Sequence, residues 1–142
     1  MKPIHPTPTE LLRRSELKRT SCREGILSVI IDSGEALSEN EIRDRLGSTY
    51  DRTTFYRSFR TLEEHGLLHR IIIPDQPVKY AVDKHHDHSG QGHAHHFCRS
   101  CHSVRCLESV RFQTDHIPAS FTVEQADVVI KGVCKTCNHE GQ

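Results

Sequence analysis

The sequence predicts an α+β fold in two parts, and three observations support that prediction. Residues 1–84 show apolar residues at helical spacing and then two apolar runs, the pattern of helices followed by a β-hairpin. Residues 93–142 contain two CxxC pairs, and a polar segment with two glycines, 85–92, separates the two parts. We therefore expect an N-terminal domain over 1–84, a hinge loop over 85–92 and a C-terminal domain over 93–142. A chain of 142 residues excludes a large multidomain enzyme.

Four helices are predicted in the N-terminal domain. Leu11 and Leu12 indicate a short leading helix, and an apolar stripe around Ile26 and Ile30 indicates a second helix that ends at Gly34. Because Cys22 is the only cysteine in these helices, we expect it to be a small buried residue, with a free reactive thiol as the alternative.

The third and fourth helices have signals at their N-terminal ends. Ser38 stands three residues before Glu41, the capping-box arrangement, and predicts a helix that stops at Gly47. Asp51 is an N-cap candidate for a helix through Glu64. The residues expected on the buried side of this last helix are Phe55, Phe59 and Leu62.

A β-hairpin completes the N-terminal domain, with strands over 67–73 and 78–82 and a turn over 74–77. Leaving the leading helix aside, three helices and a hairpin describe a winged helix-turn-helix, in which the helix from Asp51 would be the recognition helix. Its first turns carry cations, hydroxyls and one aromatic side chain that can contact phosphates and base edges. A solvated helix face is an equally open interpretation. The residues concerned are Arg52, Thr53, Thr54, Tyr56 and Arg57.

The strongest motif is the duplicated CxxC, because two thiolates on each of two tight turns can complete a tetrahedral, four-sulfur zinc shell. The two pairs are separated by 32 residues, so we expect a strand and a helix between them. We also expect a C-terminal strand over about 121–133 to lie beside the strand that leads into the first pair. Such a closed shell leaves no position for a substrate, and this zinc should be structural. The four predicted ligands are Cys98, Cys101, Cys134 and Cys137.

A second group of histidines and one further cysteine predicts a regulatory metal site. If residues 93–98 are extended, His93 and His95 point to the same face of the strand. Cys106 and a histidine of the 85–88 segment could complete a site of imidazoles and one thiolate, which favours Zn(II) but also accepts Co(II), Ni(II) or Cu. A solvated histidine tract is the alternative for His85 and His86. Further candidates are His88 and Glu108.

The overall charge does not indicate a partner. Nineteen basic and nineteen acidic side chains give a formal net charge of zero, which by itself announces neither nucleic acid nor a membrane surface. No apolar run approaches the roughly 20 residues of a membrane span. The first residues lack the apolar core of a signal peptide, so we expect a cytoplasmic protein.

Over essentially its whole length the chain resembles the Fur family of metal-responsive bacterial repressors. The resemblance is carried by residues 17–23 (LKRTSCR), residues 54–57 (TFYR), the HAH segment over 93–95 and the two cysteine pairs. It implies a homodimer whose winged helix binds a double-stranded DNA operator and whose C-terminal α/β domain dimerises and holds structural zinc. It also implies a regulatory metal site at the hinge whose occupation favours operator binding. By the same resemblance, Tyr56 and Arg57 touch DNA, and Lys18 or Arg19 reaches the backbone or minor groove.

Two departures from the family pattern favour zinc as the sensed metal. Cys106 stands where many relatives have Glu, and Ala81 stands where the wing often supplies Glu, so oxygen ligands are lost and a sulfur is gained. His88 is then our choice for the missing ligand. We expect a zinc-responsive repressor of metal-homeostasis genes, with sensing of iron, manganese, nickel or peroxide as the alternative.

Two rival functions explain less of the sequence. A zinc buffer or metal-delivery protein would account for the histidine-rich segment but not for the chemistry of the predicted recognition helix. A zinc hydrolase needs an open coordination position and a general base. Neither an HExxH nor an HxE…PCxxC pattern is present, so we do not expect an enzyme.

Overall fold

The computed structural model describes residues 6–82, 91–124 and 126–140, with the backbone alone at 91–93, 108, 111 and 140. The chain divides into two compact units, Met1–His85 and His86–Gln142, called below the N-terminal and C-terminal units. Helices and strands are both present, which confirms the predicted α+β class. The limits of the hinge loop predicted over 85–92 stay a prediction, because residues 83–90 lie outside the described residues.

The described residues of the N-terminal unit form four helices and a three-stranded sheet. In chain order the elements are α1 (Pro8–Arg14), α2 (Ser21–Ser33), β1 (Leu37–Ser38), α3 (Glu39–Leu46), α4 (Arg52–Glu64), β2 (Leu68–Ile71) and β3 (Lys79–Val82). The strand order is β1-β3-β2 and both pairings are antiparallel. The predicted helices and hairpin are confirmed. The two-residue strand β1 was not predicted, because so short a segment shows no periodicity and is defined only by its partner strand.

The helix ends follow the predicted chemistry. The Ser38 hydroxyl accepts from the Glu41 backbone N–H and the Glu41 carboxylate accepts from the Ser38 N–H, so the capping box forms. Asp51 caps α4 by accepting from the Thr54 N–H at 2.7 Å. Gly34 ends α2 in the left-handed conformation at φ 68°, which a residue with a Cβ rarely adopts.

The core of the N-terminal unit is one cluster built from all four helices and the hairpin. Phe55 and Phe59 of α4 lie in it with Leu62, as the helical spacing predicted. Phe59 also makes an edge contact with Tyr80 of β3, at 4.7 Å between ring centroids. Cys22 is buried in the same cluster, as expected, and this burial raises the pKa of its thiol. The opposite face of α4 is thereby left in solvent.

The C-terminal unit contains a three-stranded sheet followed by a short helix. Its elements are β4 (Gln91–Cys98), β5 (Val104–Gln113), β6 (Val128–Gly132) and α5 (Lys135–Glu140). The central strand β4 pairs antiparallel with β5 and parallel with β6. The predicted pairing of the C-terminal strand with the strand leading into Cys98 is therefore present.

One prediction about the segment between the cysteine pairs is wrong. We expected a strand and a helix there, but the described residues 102–124 and 126–133 form two strands and no helix. The link from β5 to β6 is instead a series of turns around Pro118, whose missing N–H and fixed φ disfavour a helix interior. The last strand begins at Val128, later than the expected start near 121.

Candidate functional sites

The four CxxC cysteines lie together at one end of the C-terminal sheet. Cys98 ends β4 and Cys134 immediately precedes α5, and the pairing of Cys98 with Gly132 brings these two chain segments side by side. The Arg99 N–H donates to the Gly132 carbonyl at 2.8 Å, which joins the residue after Cys98 to the end of β6. All four sulfur atoms, including those of Cys101 and Cys137, lie within 4.8 Å of one another.

The spacing and chemistry of these sulfurs fit a tetrahedral zinc ion. Ligands on a tetrahedron with arms of about 2.3 Å lie about 3.8 Å apart. The sulfurs of Cys101 and Cys134, one from each pair, are 3.8 Å apart. The four cysteines would fill all four positions of the tetrahedron. A zinc ion held there would be structural, because no coordination position stays open for a substrate. The predicted four-cysteine zinc site is thus confirmed as a cluster.

The protonation of the cluster also favours a bound cation. Backbone N–H groups of Cys101 and Cys134 hold the pKa of the Cys98 thiol at about 5, and the Ser103 hydroxyl lowers the pKa of Cys101. Hydrogen bonding with Cys134, together with burial and the neighbouring sulfurs, raises the pKa of Cys137 to about 12. Cys98 therefore loses its proton easily, whereas Cys137 retains its proton mainly through hydrogen bonding with Cys134. A divalent cation bound by the four sulfurs would replace that hydrogen bond and displace the proton of Cys137.

Two predicted regulatory ligands are cross-strand neighbours on the same face of the C-terminal sheet. His95 of β4 pairs with Cys106 of β5, and directly opposite residues of an antiparallel pair lie on the same face. His95 is 1% exposed and Cys106 is half-buried. The sheet thus brings together an imidazole and a thiol outside the four-sulfur cluster. The residues His85, His86 and His88 lie outside the described part of the chain, as do the side chains of His93 and Glu108.

An acidic residue that sequence reasoning missed lies beside His95. A ring nitrogen of His95 and a carboxylate oxygen of Asp127 are within 4.8 Å of each other. Asp127 precedes β6, whose Val129 pairs with His95 in the parallel register, so the two residues approach only when β4 and β6 pair. Nothing in the local sequence around Asp127 signals this proximity.

The residues predicted to contact nucleic acid occupy the solvent face of α4. Arg52, Tyr56 and Arg57 are exposed, while Phe55 between them is buried. Arg52 and Tyr56 are four residues apart, as are Thr53 and Arg57, so each pair is adjacent on the helix surface. The result is a continuous exposed surface of two guanidinium groups, hydroxyls and one phenol ring.

The N-cap of α4 contributes a negative charge to this surface. The hydroxyl and N–H of Thr54 hydrogen-bond to the Asp51 carboxylate and hold its pKa below the ordinary value, with a smaller contribution from Arg57. Both the side chain and the N–H of Thr54 therefore lie next to the Asp51 carboxylate, and a contact from Thr54 to DNA stays a prediction.

Lys18 and Arg19 are exposed in the segment between α1 and α2. The Lys18 carbonyl accepts from the Arg23 guanidinium at 2.7 Å, which fixes the backbone there. Arg19 forms an ion pair with Glu24 in the first turn of α2. Its charge is therefore partly neutralised within the chain, a feature that the sequence did not reveal.

One residue near this surface was not predicted. Arg43 of α3 donates from Nη1 to the Tyr56 hydroxyl at 2.9 Å and so links the two helices of the helix-turn-helix. The sequence contains no signal for this contact, because the residues are thirteen positions apart on different helices.

No helix in the described residues combines the length and the apolar character needed to cross a bilayer. A winged-helix unit with an exposed cationic helix, followed along the chain by a unit whose four clustered cysteines fit a zinc ion, is typical of metal-containing regulators. The family model described as the ferric uptake regulator family matches residues 14–131. The chain belongs to the ferric uptake regulator family, whose members are metal-responsive transcription regulators.

Solved structures provide an independent comparison of the fold. A zinc uptake regulator complexed with zinc and DNA is 20% identical, with a TM-score of 0.65, over 96% of this chain and 98% of that chain. The ferric uptake regulator of Helicobacter pylori is 19% identical, with a TM-score of 0.59, over 97% of both chains. That of Vibrio cholerae is 20% identical, with a TM-score of 0.57, over 89% of this chain and 98% of that chain. No curated protein matches the chain.

Proposed function

We propose that the protein is a zinc-responsive, DNA-binding repressor of metal-homeostasis genes that acts in the cytoplasm as a homodimer. The observation that carries the choice of metal is the pairing of His95 with Cys106 on one face of the sheet. A thiolate beside a buried imidazole is a soft donor pair that suits Zn(II) better than a hard cation. His93 and a histidine of the 85–88 segment, with His88 preferred, would complete the coordination.

DNA is the proposed partner of the exposed face of α4. Guanidinium groups bind phosphates and base edges, and hydroxyl and phenol groups add further contacts. Arg52 and Arg57 supply the cations, and Lys18 would reach the backbone from the segment before α2. The net charge of zero is no obstacle, because DNA would meet the local group of cations on α4 and not the charge summed over the chain.

Exposed apolar side chains of the C-terminal unit support the homodimer. Among the described residues of this small unit, six large apolar side chains are exposed, and contiguous apolar surface of this kind marks protein–protein interaction sites. They are Val110, Ile117, Phe121, Val123, Val128 and Ile130. A second copy of the chain would remove them from water.

Regulation follows from coupling between metal and DNA binding. If zinc favours the DNA-binding conformation, then DNA must favour zinc by the same free energy, typically about 1–3 kcal/mol. No step of this function requires an open coordination position or a general base, so the protein acts as a regulator and not as an enzyme.

Asp127 supports a second candidate, a regulator of the same family that senses iron or manganese. Its carboxylate lies near His95 and offers an oxygen donor in a chain that lacks the Glu ligands expected at positions 81 and 106. Mixed nitrogen and oxygen donors suit harder cations. Two matched variants separate the candidates. Cys106→Ser should weaken the response to zinc, whereas Asp127→Asn should weaken the response only if a harder metal is the effector.

The test uses the full chain and duplexes selected from a random-sequence pool. Binding is measured with the four-sulfur site filled, in the presence and absence of added Zn(II), Fe(II), Mn(II) or Ni(II). We expect zinc to raise affinity by about 5- to 150-fold, and to bind once more per chain than the four-sulfur site requires. Equal DNA affinity in the presence and absence of each metal would refute the proposal of a metal-responsive regulator. A protein that binds zinc but no DNA would instead be a zinc buffer.

A further inference from the structure

The hydrogen bond between Arg43 and Tyr56 holds one exposed aromatic ring in a fixed position. Tyr56 is 39% exposed on the solvent face of α4, and its hydroxyl accepts from Arg43 Nη1 at 2.9 Å. At its other side the ring makes an edge contact with buried Phe55, with centroids 5.4 Å apart and planes at 77°. The ring is thus restrained both at its hydroxyl and along its edge.

Two features of the donor make this restraint useful for recognition. A guanidinium group is planar and holds its N–H donors in a fixed fork, so Arg43 orients the acceptor as well as attracting it. Because the phenol oxygen accepts this bond, its own hydrogen points elsewhere and stays available as a donor. Tyr56 therefore presents an oriented apolar edge and an oriented O–H to whatever approaches α4.

We infer that Arg43 is a positioning residue for sequence readout, holding Tyr56 so that its ring and hydroxyl contact a base edge in the major groove. The inference rests on the proposed DNA binding through α4. A side chain that is already ordered loses little rotamer entropy when it binds, and the strength of its contacts depends on which base it meets. Removing Arg43 should therefore reduce discrimination between sequences more than it reduces affinity for DNA in general.

The alternative role for Arg43 is a direct phosphate contact, and the two roles have different signatures. A phosphate contact weakens binding to every sequence by the same factor and changes the salt slope by about one unit when it is removed. A positioning residue changes the ratio of affinities for different sequences. Arg45 lies exposed on the same helix, so Arg45→Leu is a matched control for the loss of one positive charge from α3.

The experiment measures the zinc-loaded full chain against two duplexes, one selected from a random pool by the wild type and one with the same bases shuffled. The variants are Arg43→Leu, Tyr56→Phe, the double variant and Arg45→Leu. We expect Arg43→Leu and Tyr56→Phe each to lower the selected-to-shuffled affinity ratio by about five- to tenfold. The double variant should lower it no further than the more severe single change, because both act on one contact. Arg45→Leu should leave the ratio unchanged.

Several results would overturn the inference. Equal weakening of both duplexes by Arg43→Leu, with a salt slope reduced beyond that of Arg45→Leu, assigns Arg43 to a phosphate. Additive effects in the double variant would show that the two residues act separately.

Arg43→Lys provides a second variant should the leucine variant fold poorly. It keeps the charge but loses the planar fork, so discrimination should fall while the salt slope stays that of the wild type.

Failure of the proposed function looks different. In that case the zinc-loaded wild type would not enrich any duplex from the random pool. If the wild type discriminates and Arg43→Leu discriminates equally well, only the positioning role is wrong.

Discussion

Phe55 offers a sharp test of how α4 is held, because the helix is anchored by its apolar face while its other face remains free. The Phe55 side chain is 2% exposed and lies in a core cluster whose members all belong to the N-terminal unit. Its ring stacks on Phe59 at 5.8 Å and makes the edge contact with Tyr56. Phe55→Ala would remove these contacts and leave a cavity at the start of the helix.

The expected cost is large relative to the stability of a small domain. Truncating a buried phenylalanine to alanine typically costs about 3–5 kcal/mol, through lost burial and the residual cavity. Total stabilities are only about 5–15 kcal/mol. With an m-value of about 1.5 kcal/mol/M, the urea midpoint of the N-terminal unit should fall by about 2–3 M.

The assay follows the two units separately in the full chain. Far-ultraviolet circular dichroism reports mainly α1 to α4, and the thiolate absorption of cobalt in the four-sulfur site reports the C-terminal unit. Ile72→Ala is the matched control, since that side chain is 70% exposed on the N-terminal unit. It should leave the helical transition within about 0.5 kcal/mol of the wild type. An equal shift from both substitutions would refute the packing argument, as would simultaneous loss of the cobalt signal in Phe55→Ala.

Further outcomes separate the sites from one another. Cys98→Ser should disrupt the C-terminal unit and its zinc binding, whereas Cys106→Ser should leave folding intact and weaken only metal-responsive DNA binding. Zinc content and circular dichroism distinguish these two outcomes. Identical behaviour of the two variants would contradict the division into a structural and a regulatory metal site. Arg57→Ala should reduce affinity for the selected duplex with bound zinc unchanged, and a loss of zinc instead would show that the DNA surface is misplaced. Glu41 hydrogen-bonds with Lys79 and Ser38, which overcomes partial burial and lowers the pKa of Glu41 below its ordinary value of 4.5. Its stabilising effect is therefore complete above that value and lost as the pH falls through the folded-state pKa. Glu41→Gln should cost less than about 1 kcal/mol at neutral pH, because the carboxylate is partly exposed, and nothing in strong acid. A constant difference across a pH series of urea unfolding curves would contradict this.

Local patterns in the sequence were sufficient to predict much of the N-terminal unit. The capping box at Ser38, the N-cap at Asp51 and the apolar spacing from Phe55 to Leu62 are interactions between residues three to seven positions apart. The helix itself brings such residues together, so the sequence contains nearly all the information about them. The CxxC pairs were equally informative, because local structure brings the two cysteines of each pair together, on a turn for Cys98 and Cys101 and at the start of α5 for Cys134 and Cys137.

The C-terminal unit depended on pairings that no local pattern specifies. A helix was expected between the cysteine pairs, yet the described residues between β5 and β6 contain turns and no helix, and β6 pairs with β4 on the side opposite β5. Strand order is decided by which edges bury the most surface together, and that choice involves residues more than thirty positions apart.

The sequence by itself determined the helix ends, the buried face of α4 and the identity of the four zinc ligands, because these rest on short-range geometry and on ligand chemistry. Only the tertiary structure decided that Cys106 lies opposite His95, that Asp127 lies beside His95, and that Arg43 reaches Tyr56. Each of these contacts joins two separate elements and exists only after strands pair or helices pack. Long-range register is a property of the assembled core, and for this protein it decides which side chains lie next to His95 and Tyr56.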